Sequence, residues 1–262
     1  MPMLPATTEP ELDAIVIGSG PNGLAAAIEL ARNGASVLVV EGSPTIGGGT
    51  RTQELTLPGF THDVCSGCHP TGILSPFFRQ LPLHEHGLTW LQSEVSVAHP
   101  LDEGPAVLLK RSVADTAGQL GLDGDRYASL VQPFLERPHD LFAGALGPLR
   151  IPKHPLLMAR FGLHAWRSAS GLSRGRFRDP RTRALLAGCA AHATLPLDTP
   201  LTAAMTMVFL ISAHVENWPV AQGGSAAISA ALASYFQSLG GAIETGRFIT
   251  SLDELPSSRV VV

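Results

Sequence analysis

Three apolar runs separated by polar breaks dominate the first forty residues. Ala14-Ile15-Val16-Ile17 is continuously apolar, as expected of a strand covered on both faces in a parallel sheet. Leu24, Ala27, Ile28 and Ala31 then recur at i, i+3, i+4 and i+7, the period of an amphipathic helix. After the turn signal Asn33-Gly34 comes Val37-Leu38-Val39-Val40, which ends on an acid, Glu41. The pattern predicts strand, helix, strand. Towards the other end, Ile228, Leu232, Tyr235 and Leu239 predict a further helix, N-capped by Ser225 and terminated by Gly240-Gly241. Short strands are expected at 242–244 and 248–252. Arg259-Val260-Val261-Val262 reads as the opening of another buried strand.

The first strand and helix are joined by Gly18-Ser19-Gly20-Pro21-Asn22-Gly23, a GxGxxG turn. In a strand–turn–helix–strand context this is a dinucleotide-binding fingerprint. Gly18 allows the tight turn, Gly20 lets a pyrophosphate approach the backbone, and Gly23 lets helix and sheet pack closely. The helix N-terminus offers unpaired N–H groups to phosphate. Ser19 lies inside this loop and is expected at a phosphate rather than as a nucleophile; Pro21 and Asn22 complete the loop. Glu41 lies 18 residues beyond Gly23. A carboxylate there can accept from a ribose diol and would repel a 2′-phosphate, which disfavours NADP.

The segment after Glu41 points to FAD rather than NAD. Gly47-Gly48-Gly49-Thr50-Arg51 offers a second close backbone approach, with Gly48, Gly49 and Arg51 as phosphate candidates. Here the chain resembles the FAD-binding oxidoreductases of the amine-oxidase and phytoene-desaturase type. The likeness extends to Leu57-Pro58-Gly59-Phe60-Thr61-His62-Asp63, to Trp218-Pro219 with Gly223-Gly224, and to Gly240-Gly241 through Ile249. Its specific motifs lie in 13–64 and 216–252. Many members read GGR where this chain reads GGGTR, so Arg51 is displaced by the extra glycine. The resemblance implies FAD-dependent dehydrogenation or oxidation, with hydride passing from a small apolar organic substrate to flavin N5. It also places Ile249 where a backbone amide and carbonyl meet adenine. No catalytic side chain is implied, because the flavin carries the chemistry.

The expected architecture is α/β: a Rossmann-like FAD domain made of two chain segments, with a mostly helical substrate or cap domain inserted. The expected borders are 1–10 as a disordered tail, 11–64 as the first FAD segment, 65–215 as the insert and 216–262 as the second FAD segment. The resemblance implies a further glycine-aspartate segment on the flavin-ring side, which is not in these 262 residues. The expectation is therefore an incomplete sheet at the C-terminus, and either an N-terminal fragment or one part of a split flavoprotein.

Net charge is −4, yet residues 150–183 hold nine of the eighteen Lys and Arg and one acid, Asp179. Leu156, Leu157, Phe161, Leu163 and Trp166 interleave with Arg160 and Arg167 there, so either a solvated basic face or peripheral contact with anionic lipid is expected. No nucleic-acid motif accompanies the charge. The apolar stretch from Ala203 to Ala213 is too short to span a bilayer, no secretory signal is apparent, and the cytoplasm is the default compartment. Three cysteines argue against a disulfide framework. Cys65-Ser66-Gly67-Cys68-His69 matches a haem-attachment pattern, but also a redox CxxC, which would make the chain a pyridine-nucleotide-dependent disulfide reductase. Zinc would need a second ligand pair, so no metal is expected. The plain alternative is a loop of small residues leaving the nucleotide domain. Cys189 reads as a packed core thiol. A non-catalytic FAD-binding subunit, completed by a partner chain, is the remaining functional reading.

Overall fold

The computed structural model describes residues 12–148 and 150–262; the tail expected at 1–10 lies outside them. In chain order the first elements are β1 (Leu12–Ile17), α1 (Pro21–Arg32), β2 (Val37–Val40), β3 (Thr52–Glu54), β4 (Thr61–Asp63) and α2 (Pro70–Ile73). Then come β5 (Trp90–Leu91), β6 (Val95–His99), β7 (Val107–Lys110), α3 (Val113–Ala117), α4 (Gly124–Leu135) and α5 (Pro138–Leu146). The remainder is α6 (Pro155–Ala165), α7 (Ala169–Arg176), α8 (Pro180–Ala191), α9 (Thr202–Glu216), β8 (Val220–Ala221), α10 (Ala226–Ser238), β9 (Ala242–Glu244) and β10 (Ser258–Val261). These elements divide into two compact units. One comprises described residues up to Gly67, 81–90 and 220–262, and the other 68–80 and 91–219. The insert expected at 65–215 thus begins at Cys68 and runs to Pro219, and 81–90 belong to the first unit.

The first unit is a Rossmann-like α/β fold around a four-stranded sheet in the order β10-β1-β2-β9. All three pairings are parallel, with Ala14 opposite Val37, Leu38 opposite Ala242 and Leu12 opposite Ser258. Parallel neighbours need a crossover, and α1 supplies it between β1 and β2. The predicted helix face is the one buried: Leu24, Ala27 and Ile28 are inaccessible, as are Ile15, Val16, Val39 and Val40 of the strands. From α10, Ile228, Leu232 and Phe236 join this core, whereas Leu239 stays at the surface.

Two expectations need correction. Residues 248–252 form no strand. Ser251 instead opens a short 3-10 turn, Leu252–Glu254, closed by a reciprocal Ser251–Glu254 capping box that holds the backbone out of any ladder. The final strand pairs as expected but is not buried: β10 lies at the sheet edge, and Val260, Val261 and Val262 are exposed.

The second unit is mostly helical, with one antiparallel pair, β6–β7. Proline stands in the first turn of α5, α6 and α8, where its missing N–H has no helical partner to lose. The apolar stretch around Ala203–Ala213 is the centre of this unit. As α9 it packs against α2, α4, α6, α7, α8 and β7, which is why it carries little polar surface. Two polar groups are buried with it. His214 Nδ1 bonds the Arg111 carbonyl at 3.0 Å, which requires the proton on Nδ1, so Nε2 accepts from the Tyr127 hydroxyl at 2.6 Å. Asp123 is fully buried and accepts from the backbone N–H groups of Arg178 and Asp179, and from the Arg126 guanidinium. These bonds tie the entry of α4 to the turn before α8.

Tyr127→Phe would strand His214 Nε2 in the core. We expect a loss of about 1–3 kcal/mol of stability with the helical content unchanged; a chemical-denaturation midpoint equal to that of the wild type would show that the pair contributes nothing.

Candidate functional site

The glycine turn closes tightly because three glycines do three different jobs. Gly18 has φ +100°, outside the range comfortable for a side chain. A Cβ on Gly23 would lie 2.0 Å from the Gly18 carbonyl oxygen, so glycine is enforced there by the fold itself. Gly20 differs. It sits extended at the N-cap of α1, and a Cβ built on it would meet only the Gly48 Cα, at 3.9 Å, an ordinary contact. No side chain caps α1, and Pro21 has no N–H, so the first-turn N–H groups of Asn22 and Gly23 face outward from the turn. Asn22 is exposed, and Gly20 and Pro21 are partly so.

The second glycine segment folds back onto the first. Gly47 N–H donates to the Ser19 carbonyl at 3.1 Å, and Gly48–Thr50 form a 3-10 turn whose Gly48 faces Gly20. Gly49 is exposed, and its carbonyl accepts from the Ser66 amide and hydroxyl. A Cβ on Gly49 would lie 3.8 Å from Cys65 Sγ, so that thiol lies beside the segment. Cys65 and Cys68 are both exposed and in no disulfide, whereas Cys189 is buried in the second unit, where burial pushes its thiol up to about 12.

Glu41 has a different surrounding from the expected one. Its side chain is buried at the end of β2. One carboxylate oxygen accepts from the Ser19 amide at 2.9 Å and the Ser19 hydroxyl at 2.6 Å. The other accepts from the Ser43 amide at 2.8 Å and the Arg51 guanidinium at 3.1 Å. Four donors occupy the roughly four lone-pair positions of a carboxylate. Burial alone would raise its pKa, but these donors outweigh it and hold the carboxyl at about 2. Glu41 is therefore the brace of the glycine turn in this structure.

The partners of Glu41 are displaced with it. Ser19 is fully buried with its hydroxyl turned onto the carboxylate, not toward a phosphate. Arg51 leaves the 3-10 turn extended, bonds the Thr45 carbonyl and pairs with Glu41. Its charge is thus already partnered. The segment 244–249 runs alongside: Glu41 N–H donates to the Glu244 carbonyl, and its own carbonyl accepts from Arg247 N–H. Ile249, two residues on, is partly buried at this edge. Phe248 covers Gly42, where a Cβ would come within 2.9 Å of its ring.

A polar knot that no sequence pattern announces fixes α10. Thr52 donates to Asp63 at 2.7 Å. Asp63 accepts from the Ser225 amide, and the Thr52 hydroxyl oxygen accepts from the Ala226 amide. The helix is thus capped by residues more than 150 positions away. Ser225 has helical dihedrals and gives its hydroxyl to the Ser66 carbonyl, so it does not N-cap α10. The only hint in the sequence is the aspartate that closes the PGFxxD segment.

Comparison with known proteins agrees with the fold. Residues 16–81 match the NAD(P)-binding Rossmann-like domain. The rat (Rattus norvegicus) pyridine nucleotide-disulfide oxidoreductase domain-containing protein 2 is 37% identical over 120 residues, 43% of this chain and 20% of that protein. A limonene dehydrogenase subunit of Castellaniella defragrans is 33% identical over 99 residues, 38% of this chain and 18% of that one. The matched stretch is therefore about a fifth of these relatives' length. An oxidoreductase structure from Methanosarcina mazei superposes with TM-score 0.60 at 19% identity, covering 95% of this chain and 58% of that one.

The brace has a pH signature. A carboxyl at about 2 when folded, against 4.5 as the ordinary value, stabilises the fold fully above 4.5, and that contribution is lost as pH falls towards 2. Glu41→Gln should lower Tm at neutral pH, and the gap from the wild type should shrink on acidification through this window. A gap independent of pH would remove the carboxylate from this role.

Proposed function

We propose that this chain binds FAD across its two glycine segments and serves an FAD-dependent oxidoreductase acting on a small apolar organic molecule. Gly20 carries the proposal. The fold accounts for Gly18 and Gly23 but leaves Gly20 without an internal reason, in a position where a side chain would stand before the open N-terminus of α1. A glycine kept at such a point fits a diphosphate lying against the backbone. Gly18, Gly20 and Gly23 would form that wall, the amides of Asn22 and Gly23 would donate to the phosphates, and Gly48 and Gly49 would flank them. Ile249 would offer backbone to the adenine. Ser19, Glu41 and Arg51 support the turn from behind. When bound, the flavin supplies a hydride acceptor for a substrate C–H; this chain's residues hold and orient it.

The apolar substrate class is supported by the family resemblance and by a relative named for limonene dehydrogenation. That relative is called a subunit, which favours a second reading, in which this chain holds FAD and a partner chain completes the catalytic site. Cysteine-based disulfide reduction draws support from the exposed Cys65 thiol beside Gly49 and from the name of the rat relative.

The test is the absorption spectrum of the purified chain, before and after loading with FAD and desalting. Retained flavin bands are expected in the wild type. Gly20→Val should fold with wild-type circular dichroism yet emerge colourless, whereas Gly23→Ala should fail through misfolding. A Gly20→Val protein that retains flavin would sink the assignment. Activity of the loaded chain alone, or only with a second chain, separates the two readings.

A further inference from the structure

Helix α6 carries an apolar face that the core does not use. Phe161 and Ala165 point into the second unit and are buried. On the other side Leu156 is 85% exposed, Leu163 75% and the C-cap Trp166 72%, with Ile151 at 95% just before the helix. Positions 156, 159, 160, 163, 166 and 167 follow one another at three- and four-residue steps, so they share one face, and all six are exposed. Exposed leucine and tryptophan at successive turns of one helix are not scattered surface apolar residues; they form a stripe.

Cations surround that stripe. Arg160 and Arg167 lie on it, Lys153 precedes it, and Arg174 is exposed on α7. His164 lies close enough to Arg176, Arg167 and Arg160 that, after burial, all three disfavour its protonation. Arg176 in turn is opposed by Arg160, Arg167 and Arg126. Positive charge is therefore concentrated here. Among the described residues, no carboxylate lies within ion-pair distance of Lys153, Arg160, Arg167 or Arg174. Asp140, near the start of the helix, is paired with His154. Unneutralised cations rimming exposed leucine and tryptophan call for an occupant that is anionic at its surface and apolar beneath. No described helix is long and apolar enough to cross a membrane, so the contact would lie along the surface.

We propose that the exposed face of α6 rests on an anionic lipid surface, Leu156, Leu163 and Trp166 entering the acyl boundary while Lys153, Arg160 and Arg167 meet the headgroup phosphates. Tryptophan suits this depth because its ring is apolar with one polar edge.

Flotation of the full chain with phosphatidylserine-containing vesicles tests it, against pure phosphatidylcholine vesicles and across ionic strength. Binding should require the anionic lipid and fall with salt, by about fivefold for each of Arg160→Ala and Arg167→Ala at low salt. Leu163→Ser and Trp166→Ser should weaken it further. Both sites are exposed, so circular dichroism should stay at wild type. Vesicle addition should shift tryptophan emission to the blue, and the shift should vanish in Trp166→Phe. Absence of flotation at low ionic strength overturns the proposal, as does equal binding to neutral vesicles. So does binding unaffected by the arginine and Leu163 variants, or a dimer broken by Leu163→Ser that ignores vesicles.

Discussion

A buried carboxylate needs donors on every side, and the first unit is arranged around meeting that requirement for Glu41. An ionised group shut away from water costs several kcal/mol unless it is fully paired. Here the pairing draws in the glycine turn through Ser19, the chain after β2 through Ser43, and the second glycine segment through Arg51. The backbone of the same residue receives the segment after β9. Four stretches of chain thus meet at one residue. The amides and glycines left on the outer side of the turn are held in place by what lies behind them. Site geometry and fold stability are consequently the same interaction viewed from opposite faces.

Much of this unit was legible because it depends on local order. Continuous apolar runs gave β1 and β2, helical periodicity gave α1 and α10, and glycine spacing gave the turn between them. Beyond its reach was whatever depended on a distant partner. Glu41 sits where a ribose-binding acid is expected, but its orientation is set by Ser19, Ser43 and Arg51, and no periodicity reports where a side chain turns. Ser225 has the right chemistry for a cap; Asp63 and Thr52 reach the amides first. Residues 248–252 are expected as a short strand, and a local Ser251–Glu254 box outcompetes the ladder.

The second unit shows the same limit from the other side. Its helices, proline starts and central apolar segment follow from composition and spacing. The Tyr127–His214 pair and the backbone bonds that Asp123 receives from Arg178 and Asp179 do not, since those partners lie 87 and more than 50 residues away. Such fully satisfied polar groups inside an apolar core discriminate among packings that hydrophobicity alone would leave nearly equivalent. The outward face of α6 was readable as a mixture of apolar and basic residues, yet only the structure separates Phe161, which belongs to the core, from Leu156 and Leu163, which do not.

The sheet order has a temporal consequence. Strand β1 lies between β2, some twenty residues on, and β10, where Leu12 faces Ser258 and Asp13 meets Arg259 across 246 positions of sequence. The second unit, by contrast, is made mainly from one uninterrupted run, 91–219. On a ribosome the helical unit can therefore be complete while β1 still waits, with one edge unpaired, for Ser258–Val261 to be synthesised. Closing so distant a pairing is the slow, high-contact-order step. Until it happens β1 presents a row of open backbone groups, which makes this strand the place where a nascent chain would depend most on chaperone protection.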